Sequence, residues 1–409
     1  MFNISSDHDV PNLDYAEKRV KETMAKGIYV RDIQDKNIKF TKERERLEGL
    51  MGSNYGIDNP RSHKQLAQYL EMQDDPVIKE ACYDEKNNKW ITNKSAMESL
   101  ALSQYEFAID LLRFRQAATY ESAVKQILNW SDSNRVLHPA VSKGITNRFN
   151  YSNPGLMNIP KKLLWEIISP RKEGNVLFSV DIKNQEPWIM INMLGIESLK
   201  EKLNSGNKNG LYNTVAFDIL GREPDEKERT EIKRAWLAMT YGASKVGIVG
   251  MCKHTDGEVI YKYFNSFKEF KAYKSDCIKS AKMHLQTVET YFNTEVTTDE
   301  AGRGLWRVLM DLPVQGTGAD ILALLIKHFD DETKSRGLSS IMEFYFSRHD
   351  EVIIEVDRGF YETEGLDKVT SILRDIFEHS IDDWEPFTVE IKVLNGFELD
   401  GNVTEDDED

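Results

Sequence analysis

Two carboxylates sit where a charge is hard to keep. Asp181 comes near the end of the apolar run 175–182, NVLFSVDI, and Asp350 stands at the tip of a turn between the hydrophobic segments 344–347 and 352–356. A carboxylate beside an apolar strand needs something to compensate it. A surface turn would account for Asp350. A metal ion would account for both residues. Magnesium takes oxygen ligands, usually one or two carboxylates plus substrate phosphates. Carboxylates on neighbouring strands could hold two ions about 4 Å apart, the arrangement of in-line phosphoryl transfer.

Three further segments carry groups suited to a nucleotide. Within 225–241, Arg229, Lys233, Leu237 and Tyr241 recur every four residues. On a helix that spacing makes one slowly drifting stripe, about 18 Å long. Its cations would hold a triphosphate and its ring would meet a base. Ordinary surface bases at i,i+4 spacing are the plainer reading. In 311–320, DLPVQGTGAD, Gln315 follows a proline and precedes two glycines. Backbone and amide could there approach a ligand closely; a bare helix cap is the alternative. In 146–160, Arg148 lies in a polar loop that ends Asn158-Ile159-Pro160 and signals little by itself.

These groups need elements to position them, and the spacing of apolar residues supplies them. Residues 14–50 read as a long charged helix broken at Gly27-Ile28-Tyr29-Val30. Segments 62–70 and 94–127 are helical by periodicity, so the first 130 residues are mostly α. The run 175–182 is a buried strand, and Pro187 suits the first turn of a following helix. Segment 225–241 is a helix whose apolar face is Ile232, Ala235, Trp236 and Met239. Gln315 opens a buried helix, 315–329. Short strands 344–347 and 352–356 flank a hairpin turn at Arg348-His349-Asp350-Glu351. Helix 361–379 and strand 387–393 follow. Antiparallel strands with helices packed on one side define an α+β fold.

Composition excludes several classes. The chain has 409 residues, 40% hydrophobic and 30% charged, ordinary for a globular protein with two or three subdomains. No run of 18 apolar residues suggests a membrane span, and the N-terminus lacks the apolar stretch of a signal peptide. Cys82, Cys252 and Cys277 form neither a zinc pattern nor a disulfide framework, which suits reduced thiols in the cytoplasm. The net charge of −15 has one address: residues 351–409 hold 19 acids and 4 bases, while residues 1–350 hold 49 of each. The acidity therefore does not argue against a nucleic-acid partner for the neutral body.

Taken in order, these segments resemble the polymerase domain of the family A DNA polymerases. Asp181-Ile182-Lys183-Asn184-Gln185-Glu186 is similar to the family's motif A. Arg229, Lys233 and Tyr241-Gly242, with Ser244 and Gly247, are similar to motif B, and His349-Asp350-Glu351 to motif C. Residues 313–320, with Arg307 eight before Gln315, and the arginine loop from Arg148 to Pro160 also match. Gly27-Ile28-Tyr29-Val30, residues 59–66 and Leu112-Arg113-Phe114-Arg115 resemble the family's thumb. The likeness covers roughly residues 15–400; each motif is weak, but five collinear ones are specific.

The resemblance implies a right hand: an antiparallel palm sheet with helices, and helical fingers and thumb. The expected divisions are a disordered N-terminus (1–14), mainly thumb (15–130, its first helix near the palm), palm (131–195), fingers (196–299), palm (300–400) and an acidic tail (401–409). It implies that Asp181 and Asp350, with the Ile182 carbonyl, hold two Mg²⁺ ions. Lys233 would be general acid, and Arg229, Lys233, Leu237, Tyr241, Glu186 and Tyr212 would meet the nucleotide. Arg148, Gln315, His349, Arg307, Arg115 and Asn158 would meet DNA. Glu186, beside the 2′ carbon, would select deoxynucleotides.

The implied function is template-directed DNA synthesis from dNTPs on a primer–template, with no intrinsic exonuclease domain. A separate exonuclease or replisome proteins would be further partners, and the setting would be cytoplasmic, in a bacterial host if the chain is phage-encoded. A non-catalytic nucleic-acid-binding accessory protein and an untemplated nucleotidyl transferase are the alternatives. Five positions depart from the family pattern: Lys183, Trp188, Tyr212, Leu237, and Asp311 in place of Asn. They leave fidelity and substrate preference open.

Overall fold

A computed structural model of the chain describes residues 12–85, 87–204, 210–378, 380–381 and 388–394. The expected acidic tail and most of the expected disordered N-terminus lie outside this range, as do residues 379 and 387. The first helix begins at Leu13, inside the stretch 1–14 expected to be disordered. The chain divides into two compact units. One comprises Met1–Lys26, Ala140–Tyr151 and Pro170–Asp409; the other comprises Gly27–Pro139 and Ser152–Ser169.

Burial decides the core of the first unit. Every residue of the strand Val176–Ile182 is buried except Asp181, and every residue of Glu351–Val356 is buried. Strands this apolar must be covered on both faces. They lie side by side in a four-stranded antiparallel sheet, ordered Met342–Arg348, Glu351–Val356, Val176–Ile182, Val389–Leu394. Phe178 meets Tyr361 of the helix Arg358–Glu378, and Phe377 of that helix stacks on Phe329 of the long helix Leu305–Ser335. The helix Leu13–Lys26 is fastened to the long helix: Arg19 Nε and the Tyr15 hydroxyl both donate to Asp330 at 2.8 Å.

The long helix corrects one expectation. Gln315 does not open a helix; the helix runs from Leu305 through Pro313 to Ser335. Proline lacks the N–H that would bond the carbonyl four residues back, here that of Leu309. The neighbouring helix Lys268–Lys282 makes good the loss. Cys277 Sγ donates to the Leu309 carbonyl at 3.7 Å, and the Tyr273 hydroxyl donates to Met310 at 2.6 Å. Thr317 Oγ1 donates back to the Pro313 carbonyl at 2.6 Å and accepts from Tyr291 N. An 18-residue stretch here is long and apolar enough to pass as a membrane span, but 83% of it is buried in the protein, as expected of a core helix.

Among the described residues, five α-helices stand between the helix Glu197–Asn204 and the long helix: Gly210–Leu220, Glu226–Thr240, Lys245–Met251, Gly257–Phe264 and Lys268–Lys282. A capping box starts the second: Asp225 accepts from Glu228 N, and the Glu228 carboxylate accepts from Asp225 N. Two of Glu228's ligands are the guanidinium of Arg222 and that backbone N–H, which together pull its pKa down to about 2.

The second unit pairs two long helices, Ile33–Tyr55 and Glu106–Trp130. Their core includes Leu47, Met51, Leu66, Leu70, Met97, Leu111 and Phe114. The segment 94–127, one helix by periodicity, is two, Lys94–Leu102 and Glu106–Trp130, broken where Gln104 takes φ 62°. A short helix that periodicity missed, Pro76–Cys82, starts on an Asp75 cap with proline in its first turn. Glu121, almost fully buried, accepts from Thr41, Arg44 and Lys125 and ties the two long helices together.

The rivet beside Pro313 is testable. Tyr273→Phe removes one buried hydroxyl and leaves the Met310 carbonyl without that donor. The expected cost is about 1 kcal/mol, read as a lower urea midpoint at unchanged m.

Candidate active site

The sheet register brings the two sequence-predicted carboxylates to one end. Glu351 pairs directly with Asp181, so Asp350 lies one residue beyond Asp181 at the same edge. The turn residues His349 and Asp350 join the two strands, and His349 takes φ 54°, which a tight two-residue turn requires. Asp181 and Asp350 are half-buried, and the Ile182 backbone follows Asp181 in the same strand, paired with Val389. Directly opposite residues of an antiparallel pair share a face. Glu351 shares one with Asp181, and Ser179, two residues earlier, donates its hydroxyl to the Glu351 carboxylate. Glu351 is therefore held by the sheet.

A second cluster forms around Glu186, on the helix Gln185–Leu194 just after the Asp181 strand. The Tyr241 hydroxyl donates to Glu186 Oε2, and Arg148 NH2 donates to Oε1 at 3.2 Å. Arg148 comes from the hairpin Ala140–Lys143/Phe149–Ser152, whose Tyr151 hydroxyl lies 3.2 Å from Ser347 Oγ. Gln315 Nε2 donates to Asp311 Oδ2 at 2.8 Å, one turn earlier on the long helix. Gly318 explains how Arg148 passes the same helix: a Cβ there would sit 3.0 Å from Gln185 Oε1 and 3.6 Å from Arg148 NH2. Five predicted or noted residues, Arg148, Glu186, Tyr241, Asp311 and Gln315, thus meet.

Electrostatics bind the cluster to the cationic helix. Burial first, and then the Glu186 charge, raise the Tyr241 hydroxyl well above its ordinary range. Tyr212 is buried and is raised for the same two reasons, while Arg229 pulls it back. Lys233 Nζ lies 5.9 Å from the Tyr212 ring centroid, a cation–π contact. Arg229 and Lys233 are exposed and Leu237 half-buried along their stripe. Asp311 is pushed up to about 6 by burial and by Glu186, against the pull of Gln315 and Arg148.

Three other predicted residues make different contacts. Arg307 is exposed beside Trp306, its guanidinium carbon 5.1 Å from the ring centroid. Arg115 and Asn158 belong to the second unit, where both line an open groove of ≈ 1160 Å³ with Arg61, His63 and Lys89. There Arg115 NH1 donates to the Thr92 carbonyl at 2.5 Å.

Sequence reasoning missed Glu231. Buried on the cationic helix, between Arg229 and Lys233 in sequence, it accepts from Lys253 N, His254 N, Thr255 N and the Thr255 hydroxyl, all at 2.8–3.0 Å. It pins the far side of that helix to the loop before Gly257–Phe264. An acid among bases on a charged helix carries no signal of burial, so the sequence could not single it out.

The antiparallel sheet and its helices, with two carboxylates at one sheet edge and a cationic helix beside it, make up the right-hand polymerase fold. A solved structure, the POL domain of Pol1 from M. smegmatis in complex with DNA primer-template and dNTP, matches it with a TM-score of 0.75 at 22% identity, over 94% of this chain and 70% of that one. The family model for DNA polymerase family A matches residues 30–397, and the chain belongs to that family. DNA polymerase I of Caldicellulosiruptor bescii is 27% identical over 396 residues, 90% of this chain and 44% of the relative. DNA polymerase I of Bacillus subtilis is 24% identical over 366 residues, 84% of this chain and 39% of the relative. The chain thus spans less than half the length of these curated relatives.

The Asp311 shift makes a prediction whose sign can be worked out. Its carboxyl titrates near 3.8 when unperturbed and at about 6 when folded, so the folded state holds the proton more tightly. Stability then falls as pH rises from about 4 to about 6 and stays reduced above that. Asp311→Asn is expected to melt above the parent at pH 8, with the gap closing towards pH 4.

Proposed function

We propose that the chain is a template-directed DNA polymerase, adding dNTPs to a primer 3′-hydroxyl. The observation that carries this reading is the register Glu351–Asp181, which aligns Asp350 with Asp181 at one sheet edge. The palm, fingers and thumb divisions read from the sequence are part of the same proposal.

The donor set suits magnesium. Two half-buried carboxylates and a strand-end carbonyl are hard oxygen donors. No group of three or more His, Cys, Asp or Glu among the described residues forms a closed metal cage. Such a pair leaves the remaining positions to water and substrate phosphate, as magnesium prefers. Asp181, Asp350 and the Ile182 carbonyl would hold two ions. When bound, magnesium lowers the pKa of the primer hydroxyl and neutralises the leaving pyrophosphate.

The chain's own residues would do the rest. Arg229 and Lys233 are exposed cations one helical turn apart, able to draw in and neutralise a triphosphate. Lys233 Nζ, steadied over Tyr212, is the proposed proton donor to pyrophosphate. The Glu186 carboxylate, gripped by Tyr241 and Arg148, would occupy the space a 2′-hydroxyl needs. A nucleotide would compete with Tyr241 for that grip. Arg148 and Gln315 would donate to minor-groove acceptors common to all base pairs, checking shape without reading sequence. Leu237, on the same stripe, would border the incoming sugar, and His349 the primer terminus. Arg115, Asn158 and Arg307 would contact DNA.

The test is a labelled primer on a longer template with Mg²⁺ and either dNTPs or rNTPs. Templated extension with dNTPs is expected; none would sink the reading. Asp350→Ala and Asp181→Ala should each slow extension about 10²–10³-fold, the scale of losing a principal electrostatic stabiliser. Glu186→Ala should narrow the dNTP-over-rNTP preference by about tenfold or more. Extension that survives Asp350→Ala would overturn the carboxylate assignment.

A further inference from the structure

Beyond the Glu186 cluster, one constellation on the first unit has a role assigned to only one of its members, Arg307. Two cations approach Trp306 of the long helix. Lys274 Nζ is 5.5 Å from its ring centroid and the Arg307 guanidinium carbon 5.1 Å. Among the described residues neither cation forms an ion pair. Lys279, on the same helix as Lys274, does have a carboxylate partner, Asp276. Lys274 is half-buried, and its pKa is lowered, first by burial and then by the Arg307 charge. Two like charges held near one indole without a counter-charge are stabilised by an anion.

The arrangement is built into the fold. Tyr273, beside Lys274, donates to the Met310 carbonyl, and Cys277, three residues on, donates to that of Leu309. The bonds that serve the carbonyls before Pro313 therefore also set the root of the Lys274 side chain against the long helix. Trp306 is set from the other side by Gly242, which has φ 76°. A Cβ there would come within 2.5 Å of the indole and 3.3 Å of Arg307 Cγ. Only a glycine lets the end of the Tyr241 helix seat so closely on the indole.

We propose that Lys274, Arg307 and Trp306 form a two-cation site for a backbone phosphate of the nucleic-acid strand that passes Tyr241. Lys274 is the member that motif comparison did not supply. The inference rests on the polymerase reading. A strand phosphate is favoured over a free phosphate or a triphosphate because Gly242 and Tyr241 place the site beside the residue proposed to meet the bases. Trp306 is half-buried, and a partly exposed indole can stack on an adjacent nucleotide.

The experiment measures primer–template affinity against salt for the full chain, together with the KM for dNTP. Each phosphate contact contributes about 0.7–0.9 to the slope of log K against log salt. Lys274→Gln is expected to flatten the slope by that amount and to leave the KM for dNTP within about twofold. Lys274→Arg should keep the slope. Lys279→Gln, the same charge change at a paired lysine of the same helix, should also keep it. An unchanged slope in Lys274→Gln overturns the proposal. So does an equal loss in Lys279→Gln, which would mean only diffuse charge. A raised KM for dNTP with an unchanged slope would make the phosphate a nucleotide's and overturn it too. A parent chain that binds no primer–template sinks the polymerase reading and this inference with it. A parent that binds, alongside an unaltered Lys274→Gln, sinks this inference alone.

Discussion

The structure of the first unit depends on the pairing of two buried strands about 170 residues apart in sequence. Six consecutive residue pairs, from Glu351–Asp181 to Val356–Val176, set that register. A slip by one residue would turn every side chain to the opposite face. Here it would bury Asp181 where Val180 or Ile182 now sits and separate the two carboxylates. Apolar residues on both faces make such a slip expensive, so burial that stabilises the sheet also positions the acids. Residue contacts this distant in sequence are costly to close, and the continuous apolar run is what makes closure favourable.

The proline inside the long helix is the second organising constraint. A helix that loses an N–H in its middle must find other donors for its carbonyls. Those donors come from Tyr273 and Cys277, and their bonds dock a whole helix. The helix then presents Asp311, Gln315 and Gly318 in successive turns to Glu186 and Arg148. A flaw in one helix is thereby converted into the joint between the sheet, the cationic helix and the helix bearing Lys274.

The charge distribution reads differently with the structure in view. The excess of −15 begins at Glu351, but Glu351 and Glu355 are not surface charges. Both are buried, Glu351 bonded to Ser179 and Glu355 to Lys172 N and Asn175. Part of the acidic end is therefore internal wiring of the sheet. In the neutral remainder, cations without carboxylate partners matter more than the total. Lys274 and Arg307 are two of them, and no sum over the sequence would find them.

Much was legible in the sequence because the physics there is local. Strands 175–182 and 352–356, the helix 225–241 and the turn at His349-Asp350 follow from apolar runs, an apolar helical face and a polar two-residue loop. The spacing of Arg229, Lys233 and Tyr241 alone placed them on one stripe. Tertiary structure decided the rest. It joined Gln315 to a helix already under way, because the donors that serve the carbonyls around Pro313 lie 32 and 37 residues earlier, Cys277 before Leu309 and Tyr273 before Met310. It broke 94–127 at Gln104, where a left-handed residue interrupts an unbroken apolar spacing. It gave Glu231 its burial and Lys274 its cationic neighbour. In each case the deciding partner is remote in sequence, and a hydrogen bond or a Coulomb contact leaves no periodic trace in the chain that makes it.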